Sequence, residues 1–270
     1  MARLSMNEMT TYRWSFDEDV AQYRAAGIPA IGVWRQKLAD YGEEKGIELL
    51  AETGLPVSNL LWAGGFTGSD GHSFRDSITD AAEAIRLAAA LKAGSLIVYS
   101  GGRAGHTLNH ARRLFVDAIR ELAPLAADLR VTLAIEPMHP ACAADCTFLT
   151  CLGDVLAVME AVGSPQVQLA FDAYHFGAER AALKSLPQFA GRIGIVHLAD
   201  GTTPVDQDQN RTRLGDGVVP LSEVIAALTA AGYDGDYDVE LIGQEIEATD
   251  YRELLRHSKA AYERLIPTTV

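Results

Sequence analysis

Four short stretches in the second half of the chain each end an apolar run on a side chain able to hold a cation or move a proton. They are Leu133-Ala134-Ile135-Glu136-Pro137-Met138, Leu169-Ala170-Phe171-Asp172-Ala173-Tyr174-His175, Ile195-Val196-His197-Leu198-Ala199-Asp200 and Val239-Glu240-Leu241. Burying a carboxylate at the end of such a run costs several kcal/mol or forces its protonation unless a partner meets it. Three carboxylates gathered at one place cannot all stay ionised without a cation. Taken singly, each residue is an ordinary polar group at a strand end; taken together, Glu136, Asp172, His197 and Glu240 predict a divalent-metal site. An oxygen-rich set with one imidazole suits Mn²⁺ first, with Mg²⁺, Co²⁺, Zn²⁺ or Fe²⁺ as substitutes, because no soft sulfur ligand is required. Coordination positions would remain for substrate oxygens or water.

Those residues converge only if their segments lie side by side. Eight β-branched or apolar runs divide the chain, at 3–9, 28–34, 56–62, 95–100, 131–138, 167–173, 193–199 and 237–242. Each is followed by a longer amphipathic stretch, such as 73–93 with Ile78, Ala82, Ile85 and Leu91, or 109–127. Asp17 and Glu18 suit the first turn of the opening helix, and Gly27, Gly54, Gly94 and Gly232 are expected at helix ends. Eight strands joined by right-handed crossovers close into one barrel more naturally than they form an open sheet. The expected fold is therefore a single (β/α)₈ TIM barrel over 1–270, with its chemistry at the C-terminal ends of the strands.

Composition narrows the function. The 270 residues carry a formal net charge of −13, which repels nucleic-acid phosphates and anionic membranes and favours a small neutral substrate. The opening residues lack the apolar core of a signal peptide and no apolar run is long enough to span a bilayer, so a cytoplasmic location is expected. Cys142, Cys146 and Cys151 are odd in number and clustered, which fits a reducing compartment. Cys142 and Cys146 are spaced as a thiolate pair, but no second pair follows at zinc-ribbon spacing.

With these segments in place, the sequence resembles the xylose isomerase-like barrel superfamily, in particular its D-tagatose 3-epimerase and inosose dehydratase branch. The resemblance spans nearly the whole chain and rests on Ile135-Glu136-Pro137-Met138, Asp172-Ala173-Tyr174-His175, Val196-His197-Leu198-Ala199-Asp200 and Glu240. It implies a metal-dependent epimerase or isomerase of keto-sugars, a carbohydrate enzyme in which Glu136 and Glu240 are both metal ligands and the acid/base pair. Asp172 and His197 would be ligands only. One glutamate would remove the proton beside a carbonyl and the other return it through an enediolate. His175 would bind a substrate hydroxyl. Arg213, in Arg213-Leu214-Gly215-Asp216-Gly217, would correspond to the family's substrate-binding arginine, with Arg211 as the alternative. Self-association is expected of such barrels, and a small partner subunit stays open.

Other residues bear on the substrate. Glu136-Pro137-Met138-His139-Pro140 resembles the 3-keto-glycoside-handling members, including the C-glycoside deglycosidases, in which His139 would add a base and the reaction would be that of a lyase or dehydratase on 3-keto-glycosides or inososes. As a loop residue between prolines, His139 equally suits a structural role. Trp34 and Trp62 end two strands, where their faces could stack on a sugar ring or simply pack, and Arg35 could meet its hydroxyls. Asp200, Asp206 and Asp208 read mainly as a solvated insert, although Asp200 stands close enough to the rim to bind substrate or orient a ligand. Two other classes share the barrel: a nuclease like endonuclease IV, whose further histidines are replaced here by Trp34 and Trp62, and a non-catalytic sugar-binding barrel.

Overall fold

The computed structural model describes residues 2–143, 145–202, 205 and 208–266. Eight strands form a closed, all-parallel barrel: β1 (Arg3–Asn7), β2 (Ile31–Trp34), β3 (Val57–Ala63), β4 (Ser95–Val98), β5 (Thr132–Ile135), β6 (Val167–Asp172), β7 (Ile193–Leu198) and β8 (Asp236–Val239). Each strand pairs with its neighbours in sequence, and β8 closes on β1 with Arg3 opposite Asp236 and Met6 opposite Val239. The expected (β/α)₈ barrel is therefore the fold observed.

Side chains along a strand alternate between faces, and in a closed barrel those faces are the helix layer and the interior. Leu133, Ile135, Leu169, Phe171, Val196, Leu198, Tyr237 and Val239 belong to the large core between sheet and helices. Between them, Ala134, Ala170 and Ile195 turn inward and meet Leu61 and Ile97 inside the barrel. The same alternation sends Glu136, Asp172, His197 and Glu240 inward at the next step up. The other half of the interior is polar: Asp238 Oδ2 accepts from Asn7 Nδ2 at 2.8 Å and from Asn59 Nδ2 at 2.7 Å.

Local chemistry sets the helix ends. Ser73 and Asp76 form a reciprocal capping box before helix Phe74–Leu91, and Thr107 caps Leu108–Leu129. Asp17 and Glu18 lie in the first turn of Phe16–Ala26, which stops at Gly27 in the left-handed region; Gly54 does the same for Glu43–Thr53. Gly94 differs from expectation. Its helix stops at Leu91 with Lys92 in the left-handed cap, and Gly94 instead lies against β3, where a Cβ would stand 2.8 Å from the Ser58 carbonyl oxygen. No helix among the described residues is long and apolar enough to cross a membrane.

Candidate active site

Register brings the four inward-pointing residues together. Asp172 on β6 lies opposite His197 on β7, while Glu136 and Glu240 follow directly after β5 and β8, with their backbone N–H groups donating to Val98 and Leu198. One ligand atom from each of the four lies within 4.8 Å of the others, and all four residues are buried. His197 Nδ1 stands 3.3 Å from Glu136 Oε1 and 3.5 Å from Glu240 Oε2. Arg211 joins them, its guanidinium donating at 2.7 Å to Glu240 Oε2 and at 2.7 Å to Asp172 Oδ2.

The donor set fits a divalent cation. Three carboxylates against one guanidinium leave two negative charges when His197 is neutral, and buried charge of that size requires a counter-ion. Glu136 Oε2 and His197 Nε2 are buried without a hydrogen-bond partner, the mark of groups awaiting one. Burial pushes His197 down, but the charges of Glu136 and Glu240 overcome it and raise the imidazole to about 10. Burial raises Glu240, yet Arg211 and then His197 outweigh it and hold the carboxylate below its usual range. Asp172 ends above its usual value, because burial there outweighs the pull of Arg211.

Two of the four face an open cavity. A cavity of about 640 Å³ at the C-terminal rim is lined by Glu136, Glu240, Arg211, Tyr99, Met138 and Trp62 among others. Asp172 and His197 do not line it and lie fully buried behind the glutamates. Tyr99, which the sequence did not single out, sits within the electrostatic reach of both glutamates; burial, then the charge of Glu136, raises its phenol well above the ordinary value.

The remaining expected residues divide. His175 is buried on the turn Ala173–Phe176, which Asp172 caps by accepting from the Tyr174 N–H at 2.6 Å. Its Nε2 is 3.9 Å from Asp172 Oδ2 and its Nδ1 3.5 Å from Cys142 Sγ; burial, reinforced by Arg211, lowers it to about 3 and keeps it neutral. Arg213 does not reach the cluster: it pairs with Glu253 at 3.0 Å on the surface, and Arg211, two residues earlier, occupies the site. His139 is also turned away, with Nδ1 accepting from the Ala141 N–H at 3.2 Å and Nε2 4.0 Å from Glu179. Trp62 lines the cavity, whereas Trp34 packs its ring 5.7 Å from that of Tyr12 and lines an adjoining hollow.

Asp200 corrects the expectation of a solvated insert. It is fully buried, and its carboxylate accepts from the backbone N–H groups of Gly201, Gly215, Gly217 and Val219, while its backbone pairs with Thr212. That fastens the loop carrying Arg211. Asp208 is exposed as expected, and Asp206 lies outside the described residues.

Comparison with known proteins agrees with this fold. The model of a family described as xylose isomerase-like TIM barrel matches residues 20–261. An inosose isomerase of Halalkalibacterium halodurans is 29% identical over 153 residues, 55% of this chain and 52% of that protein. An L-ribulose-5-phosphate 3-epimerase of Escherichia coli is 27% identical over 140 residues, 52% of this chain and 46% of the relative. The matches thus span about half the length of these relatives. The crystal structure of protein SMc04130 from Sinorhizobium meliloti 1021 superposes with a TM-score of 0.90 at 29% identity, covering 97% of this chain and 98% of that one.

Proposed function

The chain belongs to the xylose isomerase-like TIM barrel family, and from that premise we propose that it is a divalent-metal-dependent epimerase or isomerase of keto-sugars. The observation that carries the reading is the division of the cluster: only the two glutamates face the cavity, while Asp172 and His197 stand behind them. That the relatives include an inosose isomerase and a ketose-phosphate epimerase supports the same class of chemistry.

Glu136, Asp172, His197 and Glu240 would hold a divalent cation, Mn²⁺ by preference, whose charge would polarise the substrate carbonyl and so acidify the C–H of the hydroxyl-bearing carbon beside it. Glu136, with Oε2 unengaged, takes the proton from that carbon on one face. Glu240, kept ionised by Arg211, accepts or returns a proton on the other. Delivery to the same carbon inverts it and gives an epimer; delivery to its neighbour interconverts ketose and aldose. Neutral His175, buried outside the cavity lining with Nε2 3.9 Å from Asp172 Oδ2, positions that ligand rather than meeting the substrate, and Arg211 donates to substrate oxygens as well as to the glutamate. Tyr99 and Met138 narrow the cavity beside Glu136 and limit water there. An eliminating reaction would pass through the same enediolate, with the second glutamate protonating the departing oxygen; His139, directed at Glu179, adds no base to it.

Solvent-hydrogen exchange tests this reading. In D₂O, the Mn²⁺-loaded protein should place deuterium on the carbon beside the ketose carbonyl. Glu136→Gln should slow that exchange by on the order of 10³-fold, the usual worth of a positioned base together with a lost ligand. Turnover without label would mean a hydride shift and would remove both glutamates from the chemistry.

A further inference from the structure

The two glutamates of the cluster are held differently. Glu240 is gripped by Arg211, which donates at 2.7 Å to its Oε2 and at 3.3 Å to its backbone carbonyl. The same guanidinium bonds Asp172 but makes no ion pair with Glu136. Among the described residues, Glu136 pairs only with His197, at 3.3 Å, itself an expected metal ligand. A base that removes a proton from one carbon must be held close to its productive direction, because a small misplacement costs rate. Glu136 Oε2, buried and without a hydrogen-bond partner, has no charged side chain to hold it so.

Tyr99 is placed to supply that support. β4 and β5 run in register from Ser95 opposite Thr132 to Val98 opposite Ile135, and the Glu136 N–H donates to the Val98 carbonyl at 3.2 Å. One residue further on, Tyr99 and Glu136 stand side by side at the inward phase of the alternation. The Tyr99 N–H donates to the Ala63 carbonyl at 3.0 Å, which ties its backbone to β3 as well. Its half-buried ring packs on the inward cluster of Leu61, Ile97 and Ala134 and on the loop cluster of Met138, Cys142 and Ala143, with the Trp62 ring 5.8 Å away. With the ring held in this way, the phenol lies within hydrogen-bonding reach of Glu136 and lines the same cavity. Cys146, which also lines the cavity and feels the charge of Glu136, is a thiol and only a weak donor.

A phenol is uncharged and carries its proton at neutral pH. Its O–H supports a carboxylate without neutralising it, so the carboxylate keeps the charge that a base needs. The two oxygens have lone pairs enough to accept from the phenol and still present one to a substrate. We propose that Tyr99 is a positioning residue for the proton transfer: its phenol O–H donates to the Glu136 carboxylate and keeps Oε2 aimed at the substrate carbon, the neutral counterpart of Arg211 at Glu240. This rests on the proton-transfer reading of the same site and adds a residue to it.

The test uses the Mn²⁺-loaded full chain with D-fructose and its C3 epimer, each followed for exchange of the C3 hydrogen in D₂O. Glu136→Gln identifies the epimer whose hydrogen faces Glu136, as the one whose exchange it slows more. Tyr99→Phe keeps the ring and removes only the hydroxyl. It should slow exchange from that epimer about 10- to 10²-fold in kcat, the usual worth of one hydrogen bond to a charged group, and exchange from the other by less than about threefold. KM for both sugars and the manganese content of the dialysed variant should stay within about twofold of wild type, because the hydroxyl holds neither substrate nor metal. No slowing, equal slowing of both epimers, or a loss carried by KM or by metal content would overturn the proposal and leave the proton-transfer reading intact. Interconversion of the two sugars without label would remove both.

Discussion

At the end of β1, Glu8 and Asp19 are buried together with Lys37, whose ammonium donates to Asp19 Oδ2 at 2.6 Å and to the Thr11 carbonyl at 2.8 Å. Thr11 Oγ1 donates to the other Asp19 oxygen at 2.6 Å, and Glu8 Oε2 accepts from the Trp34 N–H at 2.7 Å. Burial, then the charge of Asp19, raises Glu8 well above the carboxylate range. This group carries its own cation in Lys37, and although Glu8 Oε1 also lacks a hydrogen-bond partner, none of Glu8, Asp19 and Lys37 lines the cavity. At the ends of β5 to β8 the same barrel buries three carboxylates with one arginine, leaves Glu136 Oε2 and His197 Nε2 unpartnered, and opens two of the ligands to the cavity. Buried charge alone therefore does not mark the site. What marks it is charge left uncompensated, with ligand atoms that converge on one point.

Five substitutions would break or sharpen that contrast. The largest effect is expected from Glu240→Gln: metal affinity falls on the order of 10²-fold and turnover on the order of 10³-fold, while circular dichroism shows an unchanged fold. Lys37→Met should do the converse, removing about 3–5 kcal/mol of stability in urea unfolding by stranding the Asp19 carboxylate, with metal stoichiometry unaltered. Its pH dependence follows from Asp19, which burial raises to about 6 despite Lys37. A carboxyl raised on folding contributes most below its unfolded value and loses that contribution as pH rises through about 6. Without Lys37 the carboxyl rises further and takes up a proton more readily, so the variant's deficit should shrink between pH 8 and pH 5.

Asp200→Ala is a smaller perturbation. Freed from four backbone N–H contacts, the loop should hold Arg211 less firmly, and kcat/KM should fall about tenfold with KM carrying most of the change. The smallest effect belongs to Arg213→Ala. It removes an exposed ion pair with Glu253, so stability should move by less than about 1 kcal/mol and kcat/KM by less than about threefold, whereas Arg211→Ala should cost on the order of 10²-fold.

The sequence disclosed the barrel and the cluster for one reason: both rest on period-two alternation. Six of the eight runs proved to contain their strands, and β3 and β8 each extend one residue beyond theirs, because strands buried on both faces are written as dense apolar runs. Glu136, Asp172, His197 and Glu240 interrupt those runs at the inward phase, where a charge is conspicuous. Loops carry no such phase, so nothing local distinguished Arg211 from Arg213. Asp200 looked solvated beside Asp206 and Asp208, since its acceptor role depends on how residues 211–219 fold back. The Lys37–Asp19 pair joins two helices through residues 18 apart in sequence, and Asp19 follows directly on Asp17 and Glu18, which serve the helix dipole at the surface. Only the rotation of that helix against the barrel turns one of the three inward. Tyr99 reads as one more aromatic at a strand end until the glutamates beside it are known.

The central claim is most directly tested by elemental analysis of Mn²⁺-dialysed protein, with the wild-type chain, Glu240→Gln and Lys37→Met handled in parallel. The account predicts about one metal per chain for wild type and Lys37→Met, and a marked loss for Glu240→Gln. Equal metal content in all three, or none in the wild-type chain, would contradict it.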